Sequence, residues 1–370
     1  MAEYTILMKQ YDGNLYNNLY PYTISTNMLL SSSTAAMFDV QTVDDALRAL
    51  YYSQLGTKGI VTLTIQTPSG SPISGLIFDG YYDINNNIAV TNSSGVVSIV
   101  LEEGSQTITL NDYADISISE EVQVIAQQEI KKTISTEPIN FAQYNSSTEI
   151  RISSLATRLD ISCAGGGGAG STGGTSFALF SGSGGGGGYA TTQEQVGFTP
   201  NEKISVIVGI GGQSAGTSGG SSSMLGVVAQ GGAGGTPPNA PTSTIAVGGI
   251  GNGNGGNGVS TSQLNTYING LNGSSGNQTI YSSFTSVITI GGGGGGGACR
   301  YISNGNGGPG GSPNGGTGSG ADSYTSTALM DGKSPSGGGG GGSVNTGGSG
   351  AVETYYGKGA HGRVAIRIYH

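Results

Sequence analysis

The sequence predicts a mainly β protein in three parts, and three observations carry the prediction. Its apolar residues fall in short alternating runs, the signature of half-buried strands. One amphipathic helical stripe stands out, at 42–50. Glycine is concentrated toward the C-terminus: residues 1–150 hold eight, and the rest of the 370-residue chain holds 64 of the total of 72. The glycines follow no strict three-residue repeat and Pro is only 11, which excludes collagen. No apolar stretch is long enough to span a membrane as a helix, so no membrane insertion is expected.

Residues 1–57 read as a connector. The stretch Tyr11-Asp12-Gly13-Asn14-Leu15-Tyr16-Asn17-Asn18-Leu19-Tyr20-Pro21 is aromatic and turn-rich, without a period that would build its own core. In Thr42–Leu50, Thr42 is placed to cap a helix and Asp44 and Asp45 sit in its first turn. Val43, Ala46, Leu47 and Leu50 form one apolar stripe, and Gly56 follows. A helix this short needs a partner to pack on. The N-terminus has no basic region followed by an apolar core, so no signal peptide is expected and the chain reads as synthesised in a cytoplasm.

Residues 58–137 read as a small β-sandwich. Strands are expected at Ile60–Ile65, Leu76–Phe78, Val96–Leu101 and Gln106–Leu110, separated by turns at Pro68–Pro72 and Asn85–Asn87. Residues 138–370 form the glycine-rich part. Strands are expected at Ile150–Ile152, Leu159–Cys163, Ile204–Ile210, Val287–Ile290 and Val364–Tyr369. Val364, Ile366 and Ile368 face one way, and Ala365, Arg367 and Tyr369 the other. Ile204, Val206, Val208 and Ile210 are expected to share a single face.

Glycine loses more entropy on ordering than any other residue, ~0.5–1 kcal/mol each relative to Ala. Ordered runs must recover that cost through contacts only glycine permits. The runs at 165–168, 184–188, 291–297 and 337–342 each adjoin an apolar strand, which points to packed polyglycine helices rather than linkers.

Charge argues against nucleic acid. Residues 1–160 carry 17 acids and 7 bases, and the remainder 5 and 6, so the net charge of −9 belongs to the front of the chain and no basic patch exists. Gly251-Asn252-Gly253-Asn254-Gly255-Gly256 matches a dinucleotide fingerprint by letter, but no helix follows. Gly332-Lys333-Ser334 lacks the upstream glycine of a phosphate loop. His361 and His370 are the only histidines, too few for a metal cluster. No catalytic residue, no cofactor and no metal are expected. Cys163 and Cys299 read as small buried apolar side chains in preference to a disulfide, although both abut glycine runs. Binding chemistry is left to aromatic side chains in the glycine-rich part: Phe177, Phe180, Tyr189, Tyr267, Tyr281, Phe284, Tyr301, Tyr324, Tyr355 and Tyr356. A tyrosine on a rigid loop offers large contact area at small entropic cost. About half of these are expected to fill the core instead.

Three resemblances extend this reading. The run Thr67–Gly75, then Thr91–Val97 and Gly104–Ile108, resembles the carboxypeptidase-regulatory or transthyretin-like sandwich, which implies a spacer module. Leu159–Ala164 with its glycines, Phe198–Gly212, Gly219–Ser223 and Gly359–Ile366 together resemble the glycine-rich C-terminal domain of bacteriophage tail fibres and adhesins, over about 210 residues. Met8–Gly13 through Leu19–Pro21 is similar to the start of tail and baseplate proteins from phages of Gram-positive bacteria. The resemblance implies a virion tail protein that attaches to other tail or baseplate proteins through residues 1–57. It would bind a host surface receptor, polysaccharide or protein, through loops such as 169–183 and 321–336. A homotrimer is the habit of such fibres, a monomeric tip the exception. The alternative is a structural baseplate or tail-tip component without receptor binding.

Overall fold

Alternating burial organises the first part of the chain. The computed structural model describes residues 3–9, 19–25, 55–172, 179–237, 246–261, 271–295, 299–300, 309–313, 315–316, 331–333, 338–341, 345–346 and 356–370; segments 3–9, 19–25, 179–180, 260–261, 299–300 and 345–346 are described as backbone only. The chain divides into two units, residues 1–110 with 118–136, and residues 111–117 with 137–370. The expected mainly β architecture holds, in several small sheets, with no α-helix among the described residues. The expected helix at 42–50 lies outside them.

In the first unit, strands β1 (Glu3–Lys9) and β2 (Leu19–Ser25) pair antiparallel, within the segment read as a connector. The main body follows with β3 (Lys58–Gln66), β4 (Ile77–Tyr82), β5 (Ile88–Val90), β6 (Val96–Glu102), β7 (Gly104–Leu110), β8 (Ile118–Val124) and β9 (Glu129–Ser135). A three-stranded sheet places β3 between antiparallel β6 and parallel β9, while β4–β5 and β7–β8 are hairpins. Leu63, Ile65, Phe78, Ile99 and Ile108 are fully buried, so the inward face of each strand supplies the core. Gly95 illustrates what the turns demand. Its φ is +71°, and a Cβ there would meet the Ile65 carbonyl oxygen at 2.4 Å. Asn92 reinforces this turn by accepting from Ser94 N and Val96 N through its side chain.

The second unit opens with β10 (Phe141–Tyr144), β11 (Thr148–Ile150), β12 (Arg158–Ala164), β13 (Leu179–Phe180), β14 (Ala190–Val196) and β15 (Ile204–Val206). It continues with β16 (Ser222–Met224), β17 (Val227–Ala229), β18 (Ser260–Thr261), β19 (Gln278–Tyr281), β20 (Val287–Ile290), β21 (Cys299–Arg300), β22 (Asn345–Thr346) and β23 (Arg363–Tyr369). The principal sheet has the order β10-β23-β12-β14, all antiparallel. The C-terminal strand therefore lies inside the sheet, pairing Ile161 with Ile366 and Cys163 with Val364. Leu159, Ile161, Cys163, Val364, Ile366 and Ile368 form one apolar face over Ile204, Val206, Met224 and Val227. The alternation expected of Val364–Tyr369 is the one observed. Ile210 departs from it: Ile204, Val206 and Val208 are buried, but Ile210 is exposed. The strand has ended by then, and Ile210 belongs to a glycine run whose period is three, not two.

That period is visible in the hydrogen bonds. From Gly165 to Gly170, successive N–H groups donate to three neighbours in rotation: Gly165 and Gly168 to Tyr189 and Gly186, Gly166 and Ala169 to Gly220 and Thr217, Gly167 and Gly170 to Ala360 and Gly357. The carbonyls of the same run accept from Gly232 and Gly235, from Gly212 and Gly216, and from Gly340. An extended, polyproline-II-like helix of three residues per turn has no internal hydrogen bonds, so its N–H and C=O groups are free to pair outward with the surrounding runs. The segments 184–189, 232–236, 292–295 and 357–362 repeat the pattern. Such spacing leaves no room for side chains inside. At Gly185, a Cβ would stand 2.1 Å from the Gly168 carbonyl oxygen. The glycine excess is thus the condition for an array of polyglycine helices, roofed at one end by the principal sheet.

Candidate functional site

The array has two ends of different chemistry. At the sheet end, β12 runs into the glycine segment at Gly165 and the chain returns through Gly188 to β14. Bonds from Gly165 N to Tyr189 O, Gly168 N to Gly186 O and Ser171 N to Ser183 O mark progress away from the sheet. Six residues at ~3.1 Å each carry the run roughly 19 Å.

The sheet end is closed by a polar and aromatic cluster. Asp160 is 1 % exposed on β12, on the face opposite Leu159 and Ile161. Its Oδ1 and Oδ2 accept from Arg158 Nε and Nη2 at 2.9 and 2.8 Å, a bidentate fork. Gln195 N donates to Oδ1 and the Tyr369 hydroxyl to Oδ2, both at 2.9 Å. Burial alone would push the carboxyl up, but these donors outweigh it and hold Asp160 below the usual carboxylate range. The Gln195 bond falls where the β12–β14 register shifts, and Gln195 itself has φ 55°. Asp160 therefore pins a bulge on the edge strand β14, a geometry that blunts strand addition there.

The β19–β20 hairpin covers this cluster. Arg367 lies over the Tyr281 ring at 3.7 Å and donates to the carbonyls of Ser283 and Ser286, clasping the hairpin turn. Phe284 packs on Tyr369 with ring centroids 5.0 Å apart, and the Arg158 guanidinium lies over the Tyr369 ring, 4.6 Å from its centroid. Of the aromatic candidates, Tyr281 is 4 % exposed and Phe284 is half-buried, so both pack within the body at this end. Tyr189 is half-buried where the run meets β14.

At the far end, glycine gives way to buried serine. The Ser171 hydroxyl donates to Thr236 O at 2.9 Å and that of Ser183 to Val247 O at 2.8 Å, while Ser181 Oγ accepts from Val259 N at 2.8 Å. Here β13 pairs with β18 and β21 runs parallel to β22, with β13 in contact with both β21 and β22. Phe180 belongs to β13. Tyr356 also lies at this end, its hydroxyl donating to Gln213 O at 3.3 Å beside the Gly170–Gly357 bond. Phe177, Tyr267, Tyr301, Tyr324 and Tyr355 lie outside the described residues. The described positions flanking Phe177, Tyr267, Tyr301 and Tyr355, namely Thr172, Thr261, Arg300 and Tyr356, belong to the far-end elements.

The remaining chemistry is sparse. Cys163 is buried and free, and burial pushes its thiol up to about 12. Among the described residues no three His, Cys, Asp or Glu side chains are grouped as metal ligands. Sequence reasoning missed the Asp160 network, because nothing local distinguishes a buried acid in an alternating strand from an exposed one.

Fold and site together define a polyglycine-array β protein, closed by a sheet at one end and by strand pairs at the other. The chain matches the model of the glycine-rich domain family over residues 143–369, more than half its length, and belongs to that family. No curated protein matches it.

Proposed function

We propose that this chain is a phage tail fibre or tail-tip protein that attaches to the virion through its N-terminal segment and binds the bacterial surface at the far end of the glycine array. The observation behind this reading is the convergence of run ends. Segments far apart in sequence, around Ser171, Ser181, Thr236, Val259, Arg300 and Tyr356, reach one end of a rigid backbone lattice. A lattice in which glycines cannot be exchanged, joined to intervening segments whose sequences are not restricted to glycine, lets contact residues vary without disturbing the scaffold. In the cluster at the sheet end the side chains are committed, Asp160 to Arg158, Gln195 and Tyr369, and Arg367 to Tyr281 and the hairpin turn.

Purified full-length protein is expected to compete with phage for host adsorption. Exchange of residues 173–178 and 317–330 for Ser/Gly linkers should abolish competition without changing thermal stability. Undiminished competition after both exchanges would refute the location of the site. Failure of the intact protein to bind cells would leave the structural tip component as the correct reading. Solution mass decides between the homotrimer and the monomeric tip.

A further inference from the structure

We propose that Arg363, the first residue of β23, anchors an anion-binding subsite that takes a carboxylate or phosphate group. The subsite belongs to the second unit and stands independently of what the far-end elements do.

Burial sets Arg363 apart. It is 8 % exposed, pairs with Ala164 of β12 and lies on the sheet face shared with Ala365 and Arg367. Its Nε donates to Asn145 Oδ1 at 3.0 Å, a neutral acceptor. Burial pushes the guanidinium pKa down, yet an arginine stays charged at any pH the fold meets. A charge taken out of water calls for a counter-charge. The other arginines of this unit whose side chains are described are committed. Arg151 meets Asp112, Arg158 meets Asp160, and Arg367 lies on the Tyr281 ring and donates to two carbonyls. Among the described residues no ion pair includes Arg363.

The Nη edge of the fork selects the class of ligand. With Nε taken by Asn145, the two Nη nitrogens have no protein acceptor. No fully buried side-chain nitrogen or oxygen among the described residues lacks a partner, so these nitrogens reach the surface while the rest of the side chain is sealed. Two Nη groups at a fixed separation match the paired oxygens of a carboxylate or phosphate. A neutral hydroxyl or carbonyl would fill the same place and leave the charge unanswered. Asn145 is exposed, and with its oxygen occupied it has only N–H groups to offer beside the guanidinium, again a donor for an anion.

The test is NMR on the full chain, isotope-labelled at arginine, with the Nε–H signals followed during titration with acetate, methyl phosphate or neutral acetamide. Concentrations run to ~50 mM, suited to millimolar sites, at constant ionic strength so that general screening does not change. The Arg363 signal, identified by its loss in Arg363→Met, is expected to shift saturably with at least one anion, while the other arginine signals stay and acetamide moves none. Which anion acts assigns the group as carboxylate or phosphate. Asn145→Ala, at an exposed residue, should weaken the response severalfold. If Arg363→Met fails to fold, the displacement of one signal in Asn145→Ala identifies Arg363 instead, and the wild-type titration still decides. Absence of a saturable shift with both anions would overturn the proposal. Equal shifts at every arginine, or the same shift with acetamide, would equally overturn it.

Discussion

Substituting a glycine inside the array by alanine tests whether backbone contact is what the glycines are for. Gly185 is central: its N–H donates to Gly340 O at 2.8 Å and its carbonyl accepts from Gly294 N at 2.9 Å. A Cβ at this position would lie 2.1 Å from Gly168 O, 2.5 Å from Gly168 C and 2.8 Å from Ala169 O, about 1.3 Å short of ordinary contact at 3.4 Å. All three are backbone atoms, so no side chain can swing aside. Moving the Gly168 carbonyl by that distance breaks its 3.0 Å bond from Gly340 N. Overpacking costs ~1–3 kcal/mol and an orphaned buried amide ~1–3 kcal/mol, so Gly185→Ala should destabilise by about 3 kcal/mol or more. The control is Gly197→Ala, where a Cβ meets nothing within 4 Å. That change should be neutral or stabilising by up to ~1 kcal/mol, because alanine restricts the unfolded chain. Thermal unfolding of the two variants should therefore differ by roughly 6–12 °C for a unit of this size. Equal melting temperatures would refute the packed-array account and return the runs to the status of linkers.

Asp160 and Cys163 give two further outcomes. Asp160→Asn removes the carboxylate that Arg158, Gln195 and Tyr369 share, and should cost ~2–4 kcal/mol at pH 7. Because the folded carboxyl is held below its ordinary value, its contribution is complete above about pH 4 and lost as pH falls through the lowered pKa. The stability gap between the wild type and Asp160→Asn, followed by denaturant titration, should narrow on acidification; a gap constant down to pH 2 would contradict the network. The buried Cys163 thiol, raised to about 12, should resist iodoacetamide at pH 8 in the folded protein and react only on unfolding. Mass spectrometry of the labelled chain reads this directly, and rapid native alkylation at Cys163 would show the thiol to be accessible.

Much of this protein is legible locally. The alternation in Val364–Tyr369 predicts a strand with one apolar face, and the structure has that strand and that face. Pro68–Pro72 and Asn85–Asn87 announce turns because their residues favour turn geometry whatever surrounds them. The glycine runs announce extended backbone for the same reason. Legibility fails where a residue's fate depends on a distant neighbour. Ile210 continues the apolar alternation of Ile204, Val206 and Val208, yet the change of period at the first glycines rotates it outward. Tyr281 and Tyr356 look alike in composition and context. One is sealed beneath Arg367, 86 positions along the chain, and the other lies at the opposite end of the array.

By itself, then, the sequence determined the class of structure: short strands, turns and glycine segments too small in side chain to do anything but approach one another. Those are properties of local sterics, readable a few residues at a time. Only the tertiary structure decided which run donates to which, that the last strand lies between β10 and β12, and that Asp160 is buried and satisfied. The reason is physical. A glycine run carries the same donors and acceptors along its whole length, so its own residues encode no preferred partner; the partners are selected by the strands and buried serines at its two ends.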